Sequence, residues 1–469
     1  MGQARVTVPP ADRIRFKEKV GYSLGDSAAN LYWKTFEFFL AIFYTDVFGI
    51  PAASVGAMLL VTRLGDAGAD LLMGSIADRT QTRWGHFRPY LLWNALPLAV
   101  AGVLTFTTPN LGSGPKLLYA YITYGSLMLI YTAVNTPYSA LMGVMTPNSV
   151  ERTSISSIRF VGAFTTGLFV QYFTLRFVNF FGRGSDARGW QLTMVLYGVL
   201  AIVLLWLCFI STHERVVPSA LAHRNAKSTW GLAKLLCSWP WMILVGTQIL
   251  TVSAFAIEGS ASTYYFKYFL RREDLLGLFL ASNGLAYVAA VLITSQLARR
   301  TGKKSLFIVS LVLGGLVVGF FSLARPSNIG FVFALQIVSS FMFGFKSPLA
   351  FAMFADVADH TEWLSGERIT GLVLGSAIFS TKIGMAIGGW WVGLILAHYG
   401  YVANVGQTAR SLHGIVLSMS WIPCAMVLAA AAAMAFYPLD DGLMARIEKD
   451  LTLRKQETKG STGDDRQPV

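Results

Sequence analysis

The chain has 469 residues, of which 54% are hydrophobic and only 13% are charged. Water-soluble domains carry about 25% charged residues, so this composition excludes an ordinary soluble protein. The long apolar segments also exclude a membrane β-barrel, whose strands are about ten residues long with alternating hydrophobicity. A formal net charge of +13 can indicate nucleic-acid binding, but an excess of Lys and Arg in cytoplasmic loops explains it better in a membrane protein.

Apolar segments long enough to cross a membrane recur along the whole chain. A helix of about 20 residues spans a hydrocarbon core of roughly 30 Å. We predict an all-α polytopic membrane protein with twelve transmembrane helices, spans one to twelve, at 27–48, 53–77, 88–108, 117–141, 154–180, 191–211, 240–268, 275–298, 304–324, 329–355, 368–398 and 411–437.

The charge distribution predicts the orientation of these spans. If the N-terminus is cytoplasmic, the cytoplasmic loops hold most of the Lys and Arg found between the spans, as the positive-inside rule requires. We therefore expect both termini in the cytoplasm. The expected organisation is a six-helix bundle over 1–211, a cytoplasmic middle loop over 212–239, a second six-helix bundle over 240–437 and a cytoplasmic tail over 438–469.

The two halves contain weak internal repeats. SVERTS (149–154) enters span five and GERIT (366–370) enters span eleven, which are equivalent positions in a six-plus-six duplication. Parallel repeats of six helices around a central site are the architecture of the major facilitator superfamily. We therefore expect that fold.

Span two carries three charged residues in an otherwise apolar stretch, VTRLGDAGADLLMG (61–74). Asp66 and Asp70 lie at positions i and i+4 of a helix and share one face with Arg63 at i−3. Lipid does not tolerate such a face, so it must point into the bundle or a water-filled cavity. Two adjacent carboxylates repel each other unless a cation or a proton lies between them, which predicts a coupling-ion site. The alternative is a structural salt bridge from Arg63 to a neighbouring helix.

Span one repeats this pattern. Asn30, Lys34 and Glu37 lie at i, i+4 and i+7, on a single helical face. We expect this face to line a substrate cavity, with Lys34 held by Glu37 or by the two Asp residues of span two. The alternative is that Lys34 and Glu37 neutralise each other without touching substrate.

Charged residues also cluster in the loops that we predict to be cytoplasmic. Ion pairs between the two halves of the chain could close that side and bias a two-state equilibrium, although surface pairs are individually worth about 0–1 kcal/mol. The alternative is ordinary solvated loop charge. Besides Arg63 and Glu37, the candidate gating residues are Arg79, Arg152, Asp356, Asp359 and Arg368.

Nine segments together resemble one family. They are FYTDVFGIP (43–51), RLGDAGADLLMG (63–74), ADRTQTRWGHFRPY (77–90), YTAVNTPYSALMGVMT (131–146), ERTSISSIRF (151–160), TYYFKYFL (263–270), ADVADHTEWLSGERITGL (355–372), FSTKIGMAIGG (379–389) and GYVANVGQTARSLHGI (400–415). At matching spacing over nearly the full chain, they look like the glycoside–pentoside–hexuronide:cation symporters of the melibiose- and glucuronide-permease type. The opening GYSLGDSAAN and the ending FYPLDDGLMARIEKD look most like the glucuronide-transporter branch.

The resemblance implies a cation site. In this family the carboxylate pair of span two binds the coupling cation, which assigns that role to Asp66 and Asp70, and the Thr of the YT pair joins them in sodium-using members, which implies Thr132. Those members carry Asn one position before the second Asp, whereas this chain has Ala69. Sodium needs several oxygen ligands, but a proton needs one carboxylate of suitable pKa. H⁺ is therefore favoured over Na⁺, unless water or another side chain replaces the missing ligand.

The resemblance also implies a sugar site. Family members that carry neutral galactosides use carboxylates where this chain has Asn30 and Asn135, and amides do not repel an anion. Cations matched to a carboxylate make charge-assisted hydrogen bonds, so fewer acids and more bases favour an acidic sugar, a hexuronide or a uronate-containing oligosaccharide. The alternative is that the bases neutralise buried acids and the substrate is a neutral glycoside or pentoside. The candidate bases are Lys34, Arg159, Lys346 and Lys382.

Aromatic residues are candidates for stacking on sugar faces, with ordinary helix packing as the alternative for each of them. The candidates in the binding set are Tyr131 and Tyr138 on span four and Tyr264 on span seven. The lone Glu258 on span seven is either the partner of a base or a second proton site.

The function expected from these residues is secondary active sugar transport by alternating access in a bacterial cytoplasmic (inner) membrane. The expected partners are a small sugar, the coupling cation H⁺ or Na⁺ and the lipid bilayer, with no nucleic acid and with a monomer as the working unit. No enzyme motif, cofactor site or metal-ligand spacing is visible in the sequence. A lipid or lysolipid symporter and a non-transporting sugar sensor remain as alternatives.

Overall fold

A computed structural model describes residues 14–146, 149–215, 238–365, 370–447, 449–451 and 453. Its regular structure is helical throughout, apart from one isolated bridge between Thr82 and Gly85. The α-helices are α1 (Phe16–Ile42), α2 (Ala52–Arg79), α3 (Arg88–Trp93), α4 (Ala95–Thr105), α5 (Ser113–Met145), α6 (Ser149–Gly182), α7 (Asp186–Ser211), α8 (Trp239–Tyr264), α9 (Leu276–Thr301), α10 (Lys303–Gly319), α11 (Ile329–Gly344), α12 (Lys346–Ser365), α13 (Thr370–His398), α14 (Ala409–Met419) and α15 (Trp421–Ala435).

Within the described ranges, eight helical segments are long and apolar enough to cross a membrane. They correspond to predicted spans four and six to twelve. The helices α1, α2 and α6 are equally long, but their charged and polar residues make them less apolar. These three helices supply most of the polar contacts described below, which is the expected result when polar residues face the interior of a bundle.

Three of the predicted spans are interrupted at proline. Breaks separate α3 from α4, α11 from α12, and α14 from α15, and Pro97, Pro348 and Pro423 each lie four residues after the last residue of the preceding helix. Proline has no N–H to donate to the carbonyl four residues earlier, and its ring clashes with that carbonyl. Proline explains these three interruptions, whereas Pro137 lies inside the continuous helix α5, so proline alone does not dictate a break.

The chain divides into two compact units. The first comprises Met1–Arg224, Gly259–Gly284 and Gly389–Ile415, and the second comprises Asn225–Glu258, Leu285–Gly388 and Val416–Val469. This grouping follows packing rather than the order of spans, so the predicted six-plus-six division stays a prediction. In the first unit α1 packs against α6 and α7, α2 packs against α5, and α4 packs against α5 and α7.

Close backbone approach within the first unit depends on glycine. A Cβ at Gly393 would lie 2.4 Å from the backbone oxygen of Ala52 and 2.8 Å from the backbone of Gly56. Small residues let membrane helices approach closely and gain van der Waals contact where no hydrophobic effect operates between them. We infer that Gly393 allows α13 to pack against the start of α2.

The second unit has its own apolar core. Phe307 and Leu311 of α10 pack with Phe354 of α12 and with Val427 and Met434 of α15, and all five are at most 3% exposed. Large apolar side chains on the outside of the helices are exposed, and lipid would cover them in a bilayer; examples are Leu72, Phe160, Leu292 and Ile378.

A carboxylate distant in sequence holds the start of α3. Glu214 accepts hydrogen bonds from the backbone N–H groups of His86 (2.8 Å), Phe87 (2.8 Å) and Arg88 (3.0 Å). The first N–H groups of a helix have no partner inside it, and a negative charge there is favoured by the helix dipole. Glu214 therefore fastens the loop between α2 and α3 to the end of α7.

Replacing Glu214 by Gln tests this contact. Gln keeps one oxygen acceptor but loses the charge, so we expect a loss of about 1–2 kcal/mol in the free energy of unfolding. Thermal unfolding of the purified protein would measure it as a lower melting temperature. An unchanged melting temperature would contradict the role given to Glu214.

Candidate cation and substrate site

Two hydrogen-bonded pairs join α2 to α5. The Thr132 hydroxyl donates to Asp66 Oδ1, and the Thr136 hydroxyl donates to Asp70 Oδ1 at 3.0 Å. Asp66 and Thr132 are each 2% exposed, whereas Asp70 and Thr136 are half-buried. Both members of the second pair lie four residues after those of the first. The two carboxylates therefore lie one helical turn apart, each with a hydroxyl from the same neighbouring helix.

Arg63 lies on the same helix as the two carboxylates and is 5% exposed. Its guanidinium stacks over the ring of Trp33, 4.5 Å from the ring centre. Trp33 in turn stacks on Tyr131, with ring centres 5.8 Å apart. A cation over an indole face is attracted by the ring quadrupole. This stack connects α1, α2 and α5 beside the pair formed by Asp66 and Thr132.

Arg159 of α6 is held by a carboxylate on α1. Its Nε donates to Asp26 Oδ2 at 2.8 Å, and its guanidinium lies 5.3 Å from the ring centre of Tyr138. Tyr138 and Tyr22 stack at 4.6 Å, and each hydroxyl donates to the backbone oxygen of the other residue. Tyr138 is thus committed to packing α5 against α1, the alternative stated for every candidate aromatic.

The predicted face of α1 is present, and Lys34 and Glu37 form an ion pair on it. Lys34 Nζ lies 2.7 Å from Glu37 Oε2, with 26% and 3% of the respective side chains exposed. Asn30 is half-buried and donates to the backbone oxygen of Asp26 at 2.9 Å. Asn135 of α5 is half-buried, and within the described part of the chain no hydrogen bond involves its side chain.

These residues give the polar face of the first unit a net charge of −1. Three bases and four acids contribute to it. Lys34 and Arg159 are each paired with one carboxylate, and Arg63 is on the same helix as the remaining two. Buried charge of one sign is costly when it is not balanced. A single monovalent cation would make this face neutral. The acids are Asp26, Glu37, Asp66 and Asp70, and the bases are Lys34, Arg63 and Arg159.

Another buried carboxylate of the first unit, that of Asp46, accepts several hydrogen bonds just beyond the end of α1. The Asp46 side chain is 1% exposed and lies 2.5 Å from Lys267 Nζ. It also accepts hydrogen bonds from the hydroxyls of Thr45, Tyr268 and Tyr401. We call Asp46 and these four donors the Asp46 cluster. It joins the end of α1 to the turn after α8 and to the segment between α13 and α14.

Tyr264 and Tyr401 pack together beside the Asp46 cluster. The Tyr264 hydroxyl is 3.0 Å from that of Thr45, and its ring meets the Tyr401 ring edge-on at 5.3 Å. Burial, together with Tyr264 and the charge of Asp46, raises the pKa of Tyr401 far above its usual value. The Tyr401 hydroxyl therefore remains a donor to Asp46 at any physiological pH. The structure places Tyr264 in this surrounding rather than with Asn30 and Asn135.

Four predicted residues belong to the second unit and are described within it. Lys346, the first residue of α12, is half-buried, and no carboxylate in the described chain pairs with it. Lys382 of α13 is also half-buried. Asp356 forms an ion pair with Lys303 at the start of α10, and Asp359 is half-buried one turn further along α12.

The remaining candidates are exposed or undescribed. Arg79 at the end of α2 and Arg152 near the start of α6 are exposed, and Arg368 lies outside the described residues. The gating role of these three arginines stays a prediction.

Glu258 of α8 is buried, with 7% of the residue exposed, and no base in the described chain forms an ion pair with it. Its role as a second proton site stays a prediction.

Sequence reasoning missed three residues of these sites. Thr136 has the same four-residue spacing from Thr132 that Asp70 has from Asp66, so the helical register could have identified it. Asp26 lies on the helical face of Asn30, one turn before it, and could have been proposed as the partner of Arg159. The motif containing Asp46 was recognised without a role, since three of its four partners lie more than 200 residues away in the chain.

Comparison with known proteins decides the family. A family described as MFS/sugar transport protein matches residues 21–441. The chain is 35% identical to the putative glycoside/cation symporter YagG of Escherichia coli (strain K12), covering 94% of this chain and 95% of that protein. It belongs to the glycoside–pentoside–hexuronide:cation symporter family of the major facilitator superfamily. The predicted family is therefore confirmed, and this symporter is a multi-pass membrane transporter and not an enzyme.

Two other relatives carry different names. The symporter is 36% identical to the isoprimeverose transporter of Lactiplantibacillus pentosus, over 91% of this chain and 89% of that protein. It is 32% identical to the glucuronide carrier protein homolog of Escherichia coli (strain K12), over 95% of this chain and 97% of that protein. The relatives thus include one named for isoprimeverose and one named for glucuronides.

Solved structures confirm the fold class. The symporter matches the D-xylose-proton symporter with a TM-score of 0.63 at 14% identity, covering 90% of this chain and 97% of that one. It matches the nucleoside transporter NupG with a TM-score of 0.58 at 16% identity, covering 90% and 99% of the two chains. At these identities the likeness establishes the all-helical fold of the major facilitator superfamily and nothing about substrate.

Proposed function

We propose that this cation-coupled glycoside symporter takes up a neutral glycoside together with one monovalent cation held by Asp66 and Asp70. The observation that carries the proposal is the charge of the first unit's polar face. Within the first unit, this formal net charge of −1 suits one bound monovalent cation. The isoprimeverose transporter, at 36% identity, agrees with a neutral disaccharide as substrate.

The pairing of bases weakens the expectation of an acidic sugar. That expectation relied on four bases, and two of them, Lys34 and Arg159, are each bound to a carboxylate of the same unit. Separating either base from its acid would leave a buried charge unpaired, which is expensive. A substrate carboxylate gains little from a base that is already neutralised.

An acidic sugar remains the second candidate because of Lys346. This half-buried lysine has no acidic partner in the described chain, and an ammonium group in that setting would gain from a substrate carboxylate. The likeness to the glucuronide carrier homolog favours the same substrate class.

The amides on the same face suit sugar hydroxyl groups. Asn135 has both its donor and its acceptor available within the described structure, and Asn30 retains its side-chain oxygen. An amide both donates and accepts hydrogen bonds, as a sugar hydroxyl does. We therefore assign Asn30 and Asn135 to the glycoside and Tyr131 to stacking beside it, while Lys382 of the second unit stays a candidate from the sequence.

We expect the transport cycle to require that the cation and the glycoside bind together. Binding of cation and glycoside together permits alternating access across the inner membrane, the location of the relative named inner membrane symporter YicJ. A ligand shifts this equilibrium only through different affinities for the two states. Removal of the cation would restore the net negative charge of the first unit's polar face and would oppose the reorientation of the glycoside-loaded symporter toward the cytoplasm.

A matched pair of sugars tests the substrate class. Methyl β-D-glucoside and methyl β-D-glucuronide differ only at C6. This carbon is a hydroxymethyl group in the glucoside and a carboxylate in the glucuronide. In proteoliposomes we expect the glucoside to inhibit uptake of labelled isoprimeverose at least about tenfold better than the glucuronide, a difference of about 1.4 kcal/mol. Stronger inhibition by the glucuronide, lost in Lys346→Gln while glucoside inhibition is kept, would establish the acidic-sugar candidate instead.

A further inference from the structure

The contact between Thr136 and Asp70 bears on which cation the symporter accepts. The earlier preference for H⁺ rested on Ala69, which leaves the site one oxygen short of the sodium-using members that the sequence resembles. The structure places a different oxygen against the second carboxylate, since Thr136 Oγ1 lies 3.0 Å from Asp70 Oδ1. Thr136 comes from α5 rather than from α2, so it is not a substitute at the same sequence position.

Thr136 is able to bind a cation while it holds Asp70. A hydroxyl that donates its proton to a carboxylate retains its oxygen lone pairs for another partner. The two carboxylates and the hydroxyls of Thr132 and Thr136 offer six oxygens, four from the acids and two from the threonines. Na⁺ has nearly the radius of Ca²⁺, which takes six to eight oxygens at about 2.3–2.6 Å. Six oxygens are enough for such an ion without an oxygen from position 69.

The register of the two helices places the two Asp–Thr pairs one helical turn apart. Residues four apart on a helix are separated by about 6 Å along its axis and lie on the same face. Asp66 with Thr132 and Asp70 with Thr136 thus form two levels about 6 Å apart. A cation midway between the levels would lie about 3 Å from each along the axis, so ligation at about 2.3–2.6 Å requires side chains of both levels to turn toward it.

We propose that Thr136 is a ligand of the coupling cation, that it replaces the oxygen missing at position 69, and that it allows this symporter to use Na⁺ as well as H⁺. The inference rests on the cation site proposed above at Asp66 and Asp70. Under this proposal, the use of Na⁺ depends on the Thr136 hydroxyl of α5.

The effect on two driving ions separates ligation from positioning. If Thr136 only orients Asp70, its loss weakens Na⁺-driven and H⁺-driven uptake to the same extent. If Thr136 binds Na⁺, its loss weakens the Na⁺ response alone, because a proton needs only the carboxylate.

The experiment measures glycoside uptake into proteoliposomes over a range of Na⁺ concentrations, with choline as the replacement ion and pH held constant. Thr136→Val removes the hydroxyl and keeps the shape, and we expect the half-saturating Na⁺ concentration to rise at least about tenfold. Thr136→Ser keeps the hydroxyl and should restore the wild-type value. Thr123→Val on the same helix removes a hydroxyl that donates to the backbone oxygen of Tyr119. It should leave the half-saturating Na⁺ concentration unchanged. Uptake driven by a pH gradient should be the same in all four proteins.

A binding readout makes the result independent of transport. Na⁺ should raise the melting temperature of the detergent-purified wild-type protein relative to choline, since a ligand stabilises the state that binds it. Thr136→Val should lose this stabilisation and Thr136→Ser should keep it. Absence of any Na⁺ effect in the wild type, or an unchanged Na⁺ response in Thr136→Val, would overturn the inference. If H⁺-driven uptake in the wild type is then still abolished by Asp66→Asn, the proposed function stands without it.

Discussion

Replacing Asp66 by Asn is expected to abolish cation-driven accumulation of glycoside. Asp66 is 2% exposed and accepts a hydrogen bond from Thr132. Its negative charge is therefore buried, and a bound cation would balance it. Asn has the same shape without the charge, and the polar face of the first unit changes from −1 to neutral. We expect initial uptake under an imposed gradient to fall by at least about 100-fold, because an interaction with a buried charge is worth roughly 3 kcal/mol or more.

Two controls accompany this variant. Asp274→Asn makes the same chemical change at an exposed carboxylate paired with Arg272 and should leave uptake within about twofold of wild type, as surface pairs contribute little. Thr132→Ser retains the hydroxyl beside Asp66 and should keep most of the uptake. Accumulation by Asp66→Asn at the wild-type rate would show that Asp66 does not bind the coupling ion.

Replacing Asp46 by Asn is expected to destabilise the folded protein. The carboxylate is 1% exposed, and Lys267, whose side chain is 22% exposed, is paired with it. Asn can still accept hydrogen bonds, but Lys267 then loses its counter-ion. Removing one partner of a buried pair costs about 3–5 kcal/mol, and the partial exposure of Lys267 reduces the expected loss to about 2–3 kcal/mol. Thermal unfolding in detergent would show it as a lower melting temperature.

A double-mutant cycle separates the ion pair from general damage. Asp46→Asn, Lys267→Gln and the combined variant are compared for the free energy of unfolding, since residues in contact deviate from additivity by about 0.5–3 kcal/mol. We expect the combined variant to be less destabilised than the sum of the single changes by at least about 1 kcal/mol. Additive losses would mean that the two side chains act independently and that the Asp46 cluster is not held by their charges.

Much of the fold could be predicted because its causes are local. Apolar length predicts the spans, and the lack of an N–H at Pro97, Pro348 and Pro423 explains where three of them break. The spans were predicted as continuous helices, and proline alone could not have located the breaks, because Pro137 lies inside the continuous helix α5. Capping of α3 by Glu214 could not be predicted, because its oxygens come from a residue more than 120 positions away.

The cation site shows the same division between local and distant causes. The pattern Asp66-x-x-x-Asp70 is a property of one helix, and its shared face follows from helical geometry. The family resemblance implied that Thr132 belongs to the cation site, and the structure shows its contact with Asp66. The matching contact of Thr136 with Asp70 depends on the parallel register of α2 and α5, which neither helix encodes by itself.

Pairing of charges was the least predictable property. Sequence counts of acids and bases favoured an acidic sugar, because they could not show which charges neutralise each other. Lys34 and Glu37 are neighbours on one helix, and their pairing was foreseen as an alternative. Arg159 and Asp26 lie on different helices, 133 residues apart, and their pairing is one reason for proposing a neutral glycoside.

The most direct test of the central claim is accumulation of a labelled glycoside substrate by wild-type proteoliposomes under an inward gradient of Na⁺ or H⁺. The account predicts a transient internal concentration above the external one, which disappears when the ion gradient is collapsed by an ionophore. Equilibration at the same rate with and without either gradient would contradict coupling. It would make the symporter a facilitator, in which Asp66 and Asp70 serve only to hold helices together.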